Sequence, residues 1–535
     1  MPKNIVICSD GTGNTAIKGR GTNVFKLYEA VDLNGHRSDP TLTPQIAIYD
    51  DGVGNENFRP LKVFAGITGF GLARNLRLLY KSLVRVYDPG DSIFLFGFSR
   101  GAFTVRALAG LISKCGILDV SQFTTNHELN HAVRQAYRVH REDYRTKLSQ
   151  WLGFQPDRSV IERFRARYAR HEDVRIRFIG VWDTVDAVGV PFHIGDYINL
   201  TIHRFKFPDQ KLVACADYAC QALSLDDERR VFQPLLWDQS APADAARIEQ
   251  VWFAGCHSNV GGGYEKQGMS LVSLEWMMRQ AERRGGLRLL ASDLRLYREH
   301  ANVDDKLYDP RAGTGILYRW SPRDMGAICR KYSTPPLLHL TVLERIAHGT
   351  GDYCPGNIAP DAHVVVTDTD DPRQNAELRK RARLTEAVLR GAHKEGQPLL
   401  RHVRPQILIG RSSYYVYLAS STITLLAACV PPGAGRRWNP AVIGRSVVSV
   451  LSSLLNFDPH PFLSSARRLI FTPDLLGLML GGLLDSWVMA QYSGWRMDAI
   501  FSVFWHDQQP KLRDALREAG NSEFAAPGAG DGRLV

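Results

Sequence analysis

The sequence predicts an α/β fold: a mostly parallel, doubly wound sheet with helical insertions, followed by a mainly helical, apolar C-terminal region. Three observations carry this. Short apolar runs recur, at Asn4 to Cys8, Gln45 to Tyr49, Ile93 to Phe96, Val174 to Val181 and Gln250 to Ala254, all but the fourth closed by a glycine-rich turn. Segments with helical apolar spacing alternate with them, such as Phe103, Val105, Leu108, Leu111 and Ile112 after the third run. After Pro360 the alternation stops and long uncharged segments take over.

Composition bounds the function classes. A chain of 535 residues holds a large core and suggests roughly two to four domains. Its 44% hydrophobic and 23% charged residues are ordinary for a globular protein, while a net charge of +11 favours anionic partners. No arginine stripe interleaved with aromatics and no nucleic-acid module is present, so a membrane surface is the better expectation and nucleic acid is disfavoured. The eight cysteines include no C-x-x-C pair, which argues against a structural zinc site or disulfide framework and suits a reducing compartment. The opening MPKNIVICSDGTGN has only about five apolar residues before a polar turn, too short for a signal-peptide core. The expected location is cytoplasmic or membrane-associated.

The first run leads into Ser9-Asp10-Gly11-Thr12-Gly13-Asn14, at the strand end where doubly wound sheets gather ligands. This loop lacks both P-loop and dinucleotide-fold spacing. Its glycines can bring backbone N–H groups close to an ester oxygen, or form a plain βα turn. The second run ends in Asp50-Asp51-Gly52-Val53-Gly54; without histidines at suitable spacing nearby, these aspartates read as solvated turn residues rather than metal ligands. The region Phe64 to Leu72 is rich in small residues for close packing, and Asn75 to Val86 reads as a helix.

The third run enters Gly97-Phe98-Ser99-Arg100-Gly101 and then a helix. A G-x-S-x-G turn needs glycines because a Cβ at either would strike the neighbouring strand or helix, and it lifts the Ser99 hydroxyl above the sheet edge. The Arg100 N–H, at the helix start, can donate to a developing oxyanion. The plainer alternative is a serine that caps the helix. From His127 to Asp173 the chain is polar and arginine-rich, a helical insertion spanning about 124–173.

The fourth run, where Val174, Ile176 and Phe178 alternate with arginines, ends in Trp182-Asp183-Thr184-Val185-Asp186. A carboxylate directly after a strand that follows the serine unit is where the acid of a Ser, Asp, His series belongs, and Asp183 is preferred to Asp186 as nearer the strand end. The fifth run leads into Gly255-Cys256-His257-Ser258-Asn259-Val260-Gly261-Gly262-Gly263-Tyr264, which puts His257 on a glycine-rich loop. Ser99, Asp183 and His257 thus each follow a strand, in the chain order used by α/β-hydrolase-like folds.

The ordered set SDGTGN, YDDGVG, GFSRGAFTVRALAG, VWDTVDAVG and VWFAGCHSNVGGGY resembles the DUF2235 family of type VI secretion lipase effector Tle1-like catalytic domains. The resemblance extends through Tyr318 to Arg323, Thr341 to Arg345 and Tyr353 to Asn357, covering about residues 1 to 360. It implies an α/β-hydrolase-like phospholipase with nucleophile Ser99, acid Asp183 and base His257, and possible delivery by a type VI secretion system. Asn259 stands where the family often has aspartate. The oxyanion hole is expected from Gly11, Thr12 and Arg100, and the supporting loops from Asp10, Gly97, Gly101 and Asn259. No cofactor or metal is expected.

After the catalytic region, Thr367 to Pro372 reads as an acidic linker and Asn375 to His393 as a charged helix, within a 361–400 linker segment. Residues 401–535 form the apolar helical region. Ser412 to Gly435 carries no charge and approaches the ~20 residues that span a bilayer, while Ser446 to Phe457 is shorter and reads as interfacial or core. Leu475 to Ala490 holds Gly477-x-x-x-Gly481, a close-packing signal, with Asp474 placed to cap it. Its Asp485 would cost about 3 kcal/mol at mid-bilayer, so membrane contact through 412–435 and 475–490 and packing as buried helices both stay open. Beyond Gln508 a short charged helix and a disordered tail are expected. The leading function is a serine esterase acting on phospholipid acyl esters. The alternatives are a metal-dependent phosphoesterase using Asp10, Asp50, Asp51 and His257, and an inactive membrane-attached scaffold.

Overall fold

The computed structural model describes residues 2–11, 21–51, 70–142, 158–170, 174–186, 210–312, 320–393, 399–430 and 460–519, with a few isolated residues at 445–446, 448–449 and 452. Its centre is an eight-stranded sheet of β1 (Asn4–Ser9), β2 (Gln45–Asp50), β3 (Ser92–Phe98), β4 (Arg175–Trp182), β5 (Ala216–Ser224), β6 (Ile248–Phe253), β7 (Leu337–His339) and β8 (His363–Val365). The order is β2-β1-β3-β4-β5-β6-β7-β8, and every ladder is parallel. The expected α/β class is what the chain adopts.

Parallel strands are covered on both faces, and the central strands split their side chains accordingly. Ile5 and Ile7 of β1, Ile93 and Leu95 of β3, and Ile176, Ile179 and Val181 of β4 face one apolar layer. The helices Phe70–Val86, Arg100–Cys115, Asn126–Glu142 and Arg158–Tyr168 cover it through residues such as Leu79, Leu108, Val133 and Phe164. Val6 and Cys8, Phe94, Phe96 and Phe98, and Phe178 and Trp182 face the other layer, closed by Asn23–Glu29, Gly268–Gln280 and Ala291–His300. A register shift between β3 and β4 at Ile93 and Phe94 skips Arg177, which keeps the two apolar sets on their faces despite the extra residue.

The five apolar runs are strands β1, β2, β3, β4 and β6. β5, β7 and β8 carried no clear periodic signal: Ala216–Ser224 is built from small residues of low strand propensity, and the other two are three residues each. The strand order reverses between β1 and β3, so the carboxyl ends of those strands form the sheet's topological switch point. The acidic linker ends in a cap: Asp371 accepts from the Arg373 N–H at 2.8 Å, with Pro372 opening the helix Pro372–Ala392.

The chain divides into two compact units, one of Met1–Tyr318, Pro322–Pro398 and Trp505–Val535, the other of Arg319–Ser321 and Leu399–Phe504. In the first, the charged stretch beyond Gln508 is no separate short helix but the end of one long helix, Pro473–Ala519. Trp505, Leu512 and Leu516 bury one face of it, and the Trp505 indole donates to the Pro355 carbonyl at 2.7 Å. The second unit pairs the helix Arg404–Cys429 with the earlier part of Pro473–Ala519 through Ser486 donating to Ser413 O at 2.7 Å and Ser493 to Gln406 O at 2.6 Å. Here the glycine expectation is corrected. Gly477 and Gly481 face open space, and Gly482 makes the close approach, where a Cβ would lie 2.2 Å from Ser420. The i to i+4 pair lies on a face that packs against nothing described. No single described helix is long and apolar enough to cross a membrane; Leu463–Phe471 and Pro473–Ala519 reach that composition only together, across an 80° bend. Residues 431–435, most of 446–457 and the tail beyond Ala519 lie outside the described residues.

Candidate active site

Ser99 follows β3 with φ 59° and ψ −121°, an unfavourable backbone for a residue with a Cβ, and the helix Arg100–Cys115 starts at the next residue. The turn is held from three sides. The Ser99 N–H donates to Trp182 O at 3.0 Å, a Cβ on Gly97 would lie 2.6 Å from Gly101 O, and a Cβ on Gly101 would lie 2.1 Å from Ser9 O. Both glycines are therefore demanded by backbone at van der Waals limits. The Ser99 hydroxyl makes no capping bond to the helix, unlike the plainer role open to it.

Asp183 is the first residue beyond β4, also at positive φ (41°), with its N–H bonded to Ala222 O at 2.8 Å. Its carboxylate is fully buried. Oδ1 accepts from Ser224 N–H at 3.1 Å and Arg323 Nη1 at 2.7 Å; Oδ2 accepts from Ser224 Oγ at 3.1 Å, Arg323 Nη2 at 2.9 Å and His257 Nδ1 at 2.5 Å. Burial alone would raise this carboxyl, but the Arg323 charge, with the hydrogen bonds from His257 and Arg323, holds it far below the usual carboxylate range.

His257 opens the five-residue helix His257–Gly261, and its backbone N–H donates to Asp227 Oδ2 at 3.2 Å. The imidazole lies between the Phe98 ring, 4.6 Å away, and the Phe232 ring, 4.9 Å away and edge-on. A Cβ on Gly261 would sit 2.0 Å from the Phe98 ring, so only glycine lets this loop close over the residue preceding Ser99. With Nδ1–H given to Asp183, Nε2 is the unprotonated nitrogen. It is buried and has no hydrogen-bond partner among the described residues. Burial pushes the imidazole's basicity below its ordinary value, more than the neighbouring Asp183 and Asp227 restore it.

The remaining expected positions fall as follows. Asp10 is buried and accepts from Thr22 Oγ1 at 2.6 Å, Tyr49 OH at 2.7 Å and the Gly11 N–H at 2.6 Å. The Gly11 amide is thus taken up by the Asp10 carboxylate. Thr12 lies outside the described residues. Arg100 is the first residue of its helix, where N–H groups lie outside the helix's own ladder. Asn259 bridges its loop to another, accepting from Tyr308 N–H at 3.2 Å and donating to Lys306 O at 3.0 Å. The acidic residues do not gather around a metal site: Asp50 accepts from Ser9 and Asn75, both at 3.0 Å. Among the described residues no three His, Cys, Asp or Glu side chains are placed to share an ion.

Three further residues at the site gave no signal in the sequence as a functional group: Ser224, Asp227 and Arg323. Arg323 is 140 residues from Asp183 and follows no strand among the described residues; only its place in the Tyr318 to Arg323 stretch marked it. Asp227, paired with Arg229 at 2.7 Å, looks from sequence like one half of an exposed loop pair.

Residues 3–280 match the family described as T6SS, Phospholipase effector Tle1-like, catalytic domain. An uncharacterized protein of Saccharomyces cerevisiae is 28% identical over 247 residues, 44% of this chain and 32% of the yeast protein, so the match spans about a third of that relative. An uncharacterized protein from Pseudomonas aeruginosa, known from a crystal structure, aligns over 73% of this chain and 59% of its own with 15% identity and a TM-score of 0.29. A Tle1 effector bound to the VgrG spike of the Type 6 secretion system aligns over 49% and 51% with 18% identity and a TM-score of 0.28. At those scores neither structure bears on what this chain does. The family match, by contrast, runs through the turns that hold Ser99, Asp183 and His257, and the chain belongs to the T6SS phospholipase effector Tle1-like catalytic domain family, a hydrolase-fold protein of that catalytic class.

Proposed function

We propose that the protein is a serine esterase that cleaves acyl ester bonds of phospholipids. The observation that carries the reading is His257, whose Nδ1 is tied to buried Asp183 while its buried Nε2 is unpartnered, with its ring packed at 4.6 Å on Phe98, the residue before the strained Ser99. Nε2 takes the Ser99 proton as Oγ attacks the ester carbonyl, and Asp183 stabilises the imidazolium that forms. The tetrahedral oxyanion accepts from the Arg100 N–H at the helix start. His257 then protonates the leaving alcohol, and water, deprotonated by Nε2, releases the acyl group from Ser99.

The family description supports a lipid substrate. So does the second unit, which exposes Leu478, Leu484 and Val488 along one helix together with Trp487, Tyr492 and Trp495, whose amphipathic rings are of the kind that settle at a bilayer interface. Contact through these residues places the chain at a membrane surface. Wild type and Ser99→Ala are incubated with mixed phosphatidylethanolamine and phosphatidylglycerol vesicles, and products are read by mass spectrometry. Lysophospholipid and fatty acid are expected from wild type only; equal amounts from both would sink the proposal. Sedimentation of the same vesicles reads contact: Trp487→Ser with Trp495→Ser is expected to leave more protein in the supernatant, and unchanged partitioning would remove the membrane face from the reading.

A further inference from the structure

We propose that Arg323 is a positioning residue of this site, which fixes the plane of the Asp183 carboxylate toward His257 and sets the pH range in which Nε2 can accept a proton. The inference rests on the serine-esterase reading of the same site. It does not follow from the family match, which ends at residue 280.

The geometry is a side-on fork. Nη1 and Nη2 of Arg323 each take one oxygen of Asp183, at 2.7 and 2.9 Å, and both side chains have no exposed surface. The same two nitrogens donate to Ser224 O, Ser224 Oγ and Phe232 O, so the guanidinium is locked to the end of β5 and to the segment whose ring packs on His257. A carboxylate gripped by both oxygens cannot rotate, and with Ser224 Oγ also donating to Oδ2 at 3.1 Å, its remaining edge is the one His257 Nδ1 meets at 2.5 Å. Lysine offers a point charge and no fork, so it can replace the charge of Arg323 and not its geometry.

The charges around the imidazole come from every element packed on it. Asp183 follows β4, Asp226, Asp227 and Arg229 follow β5, Cys256 precedes the histidine on its own loop, and Arg323 comes from beyond the family match, while Phe98 and Phe232 are uncharged. Asp183 is paired with Arg323 and Asp227 with Arg229, while Asp226 is held by the Gly255 N–H and the Tyr353 hydroxyl. With Arg323 in place the Asp183 charge is compensated, and burial favours the uncharged imidazole that a base must be. Removing the Arg323 charge leaves one carboxylate uncompensated, which favours the imidazolium. The lower pH limit of activity then moves upward, toward and into the neutral range.

Arg323→Met and Arg323→Lys are compared with wild type and Ser99→Ala in kcat/KM against pH on a soluble short-chain ester, with thermal unfolding run on each. The expectation for Arg323→Met is an acidic limb raised by about one pH unit and kcat lowered roughly 100-fold. For Arg323→Lys it is a limb within about 0.3 units of wild type, with kcat lowered about 10-fold at unchanged KM. A folded Arg323→Met with the wild-type limb overturns the proposal. If that variant does not fold, the lysine variant decides: a lowered kcat with an unmoved limb supports the proposal, and wild-type kcat at every pH overturns it. Ester turnover surviving in Ser99→Ala would sink the serine reading itself, whereas a dead Ser99→Ala with wild-type Arg323 variants sinks only the role of Arg323.

Discussion

Ser99 and Asp183 are two of the few described non-glycine residues at positive φ, and each such position costs about 1–3 kcal/mol that its surroundings must repay. At Ser99 the repayment is visible in Gly97 and Gly101, whose missing Cβ atoms let β1, β3 and the following helix converge. Gly101→Ala is therefore expected to destabilise the protein by about 2–3 kcal/mol in urea unfolding and to abolish ester turnover, because the clash is with Ser9 and Asp10 backbone oxygens that cannot swing away. Gly391→Ala, in a helix with nothing within 4 Å of the new methyl, serves as the control and is expected to be neutral or slightly stabilising. Equal stability of the two variants would show that the turn is looser than described. The glycine spacing made this turn legible from sequence, since the steric demand is local. The strain at Asp183 was not, because no glycine marks the turn after β4.

The loop after β6 is held by the loop after β5. Asp226 accepts from the Gly255 N–H at 2.6 Å and from Tyr353 OH at 2.8 Å, two residues before His257. Burial pushes the Asp226 carboxyl up to about 6, against the pull of those donors. Because the folded value lies above the ordinary 3.8, the stability it contributes is full below about pH 4 and is lost as pH rises through about 6. Asp226→Asn imitates the protonated form. It is expected to unfold at a higher urea midpoint than wild type at pH 8, by up to about 3 kcal/mol, and to match wild type at pH 4. A variant less stable than wild type at pH 8 would mean that the charged carboxylate is the form the loop requires. β5 itself was the element least legible in the sequence, since its Ala, Cys and Ser residues lack the branched side chains that mark strands; yet it contributes Ser224 and positions Asp226 and Asp227.

Across the whole chain, the sequence told the α/β class and the order of the motif-bearing strands because parallel strands buried on both faces read as plain apolar runs. It could not tell which residues converge from different turns onto one imidazole: Phe98, Asp183, Asp227 and Phe232 meet at His257 only through the sheet order. In the second unit the runs from Ser412 and from Leu475 fall in helices over their described residues, while the packing face was not legible, since Gly482 and not the Gly477 and Gly481 pair meets its neighbour. The net charge of +11 and the exposed aromatic helix face agree with work at an anionic membrane surface, but the central claim is chemical: Ser99 is a nucleophile driven by His257. Its most direct measurement is labelling by a fluorophosphonate followed by peptide mass spectrometry. The account predicts one adduct, on the peptide holding Ser99, slowed at least 100-fold in His257→Gln and absent from Ser99→Ala. A wild type that stays unlabelled, or a Ser99→Ala protein labelled at the same rate, would contradict it.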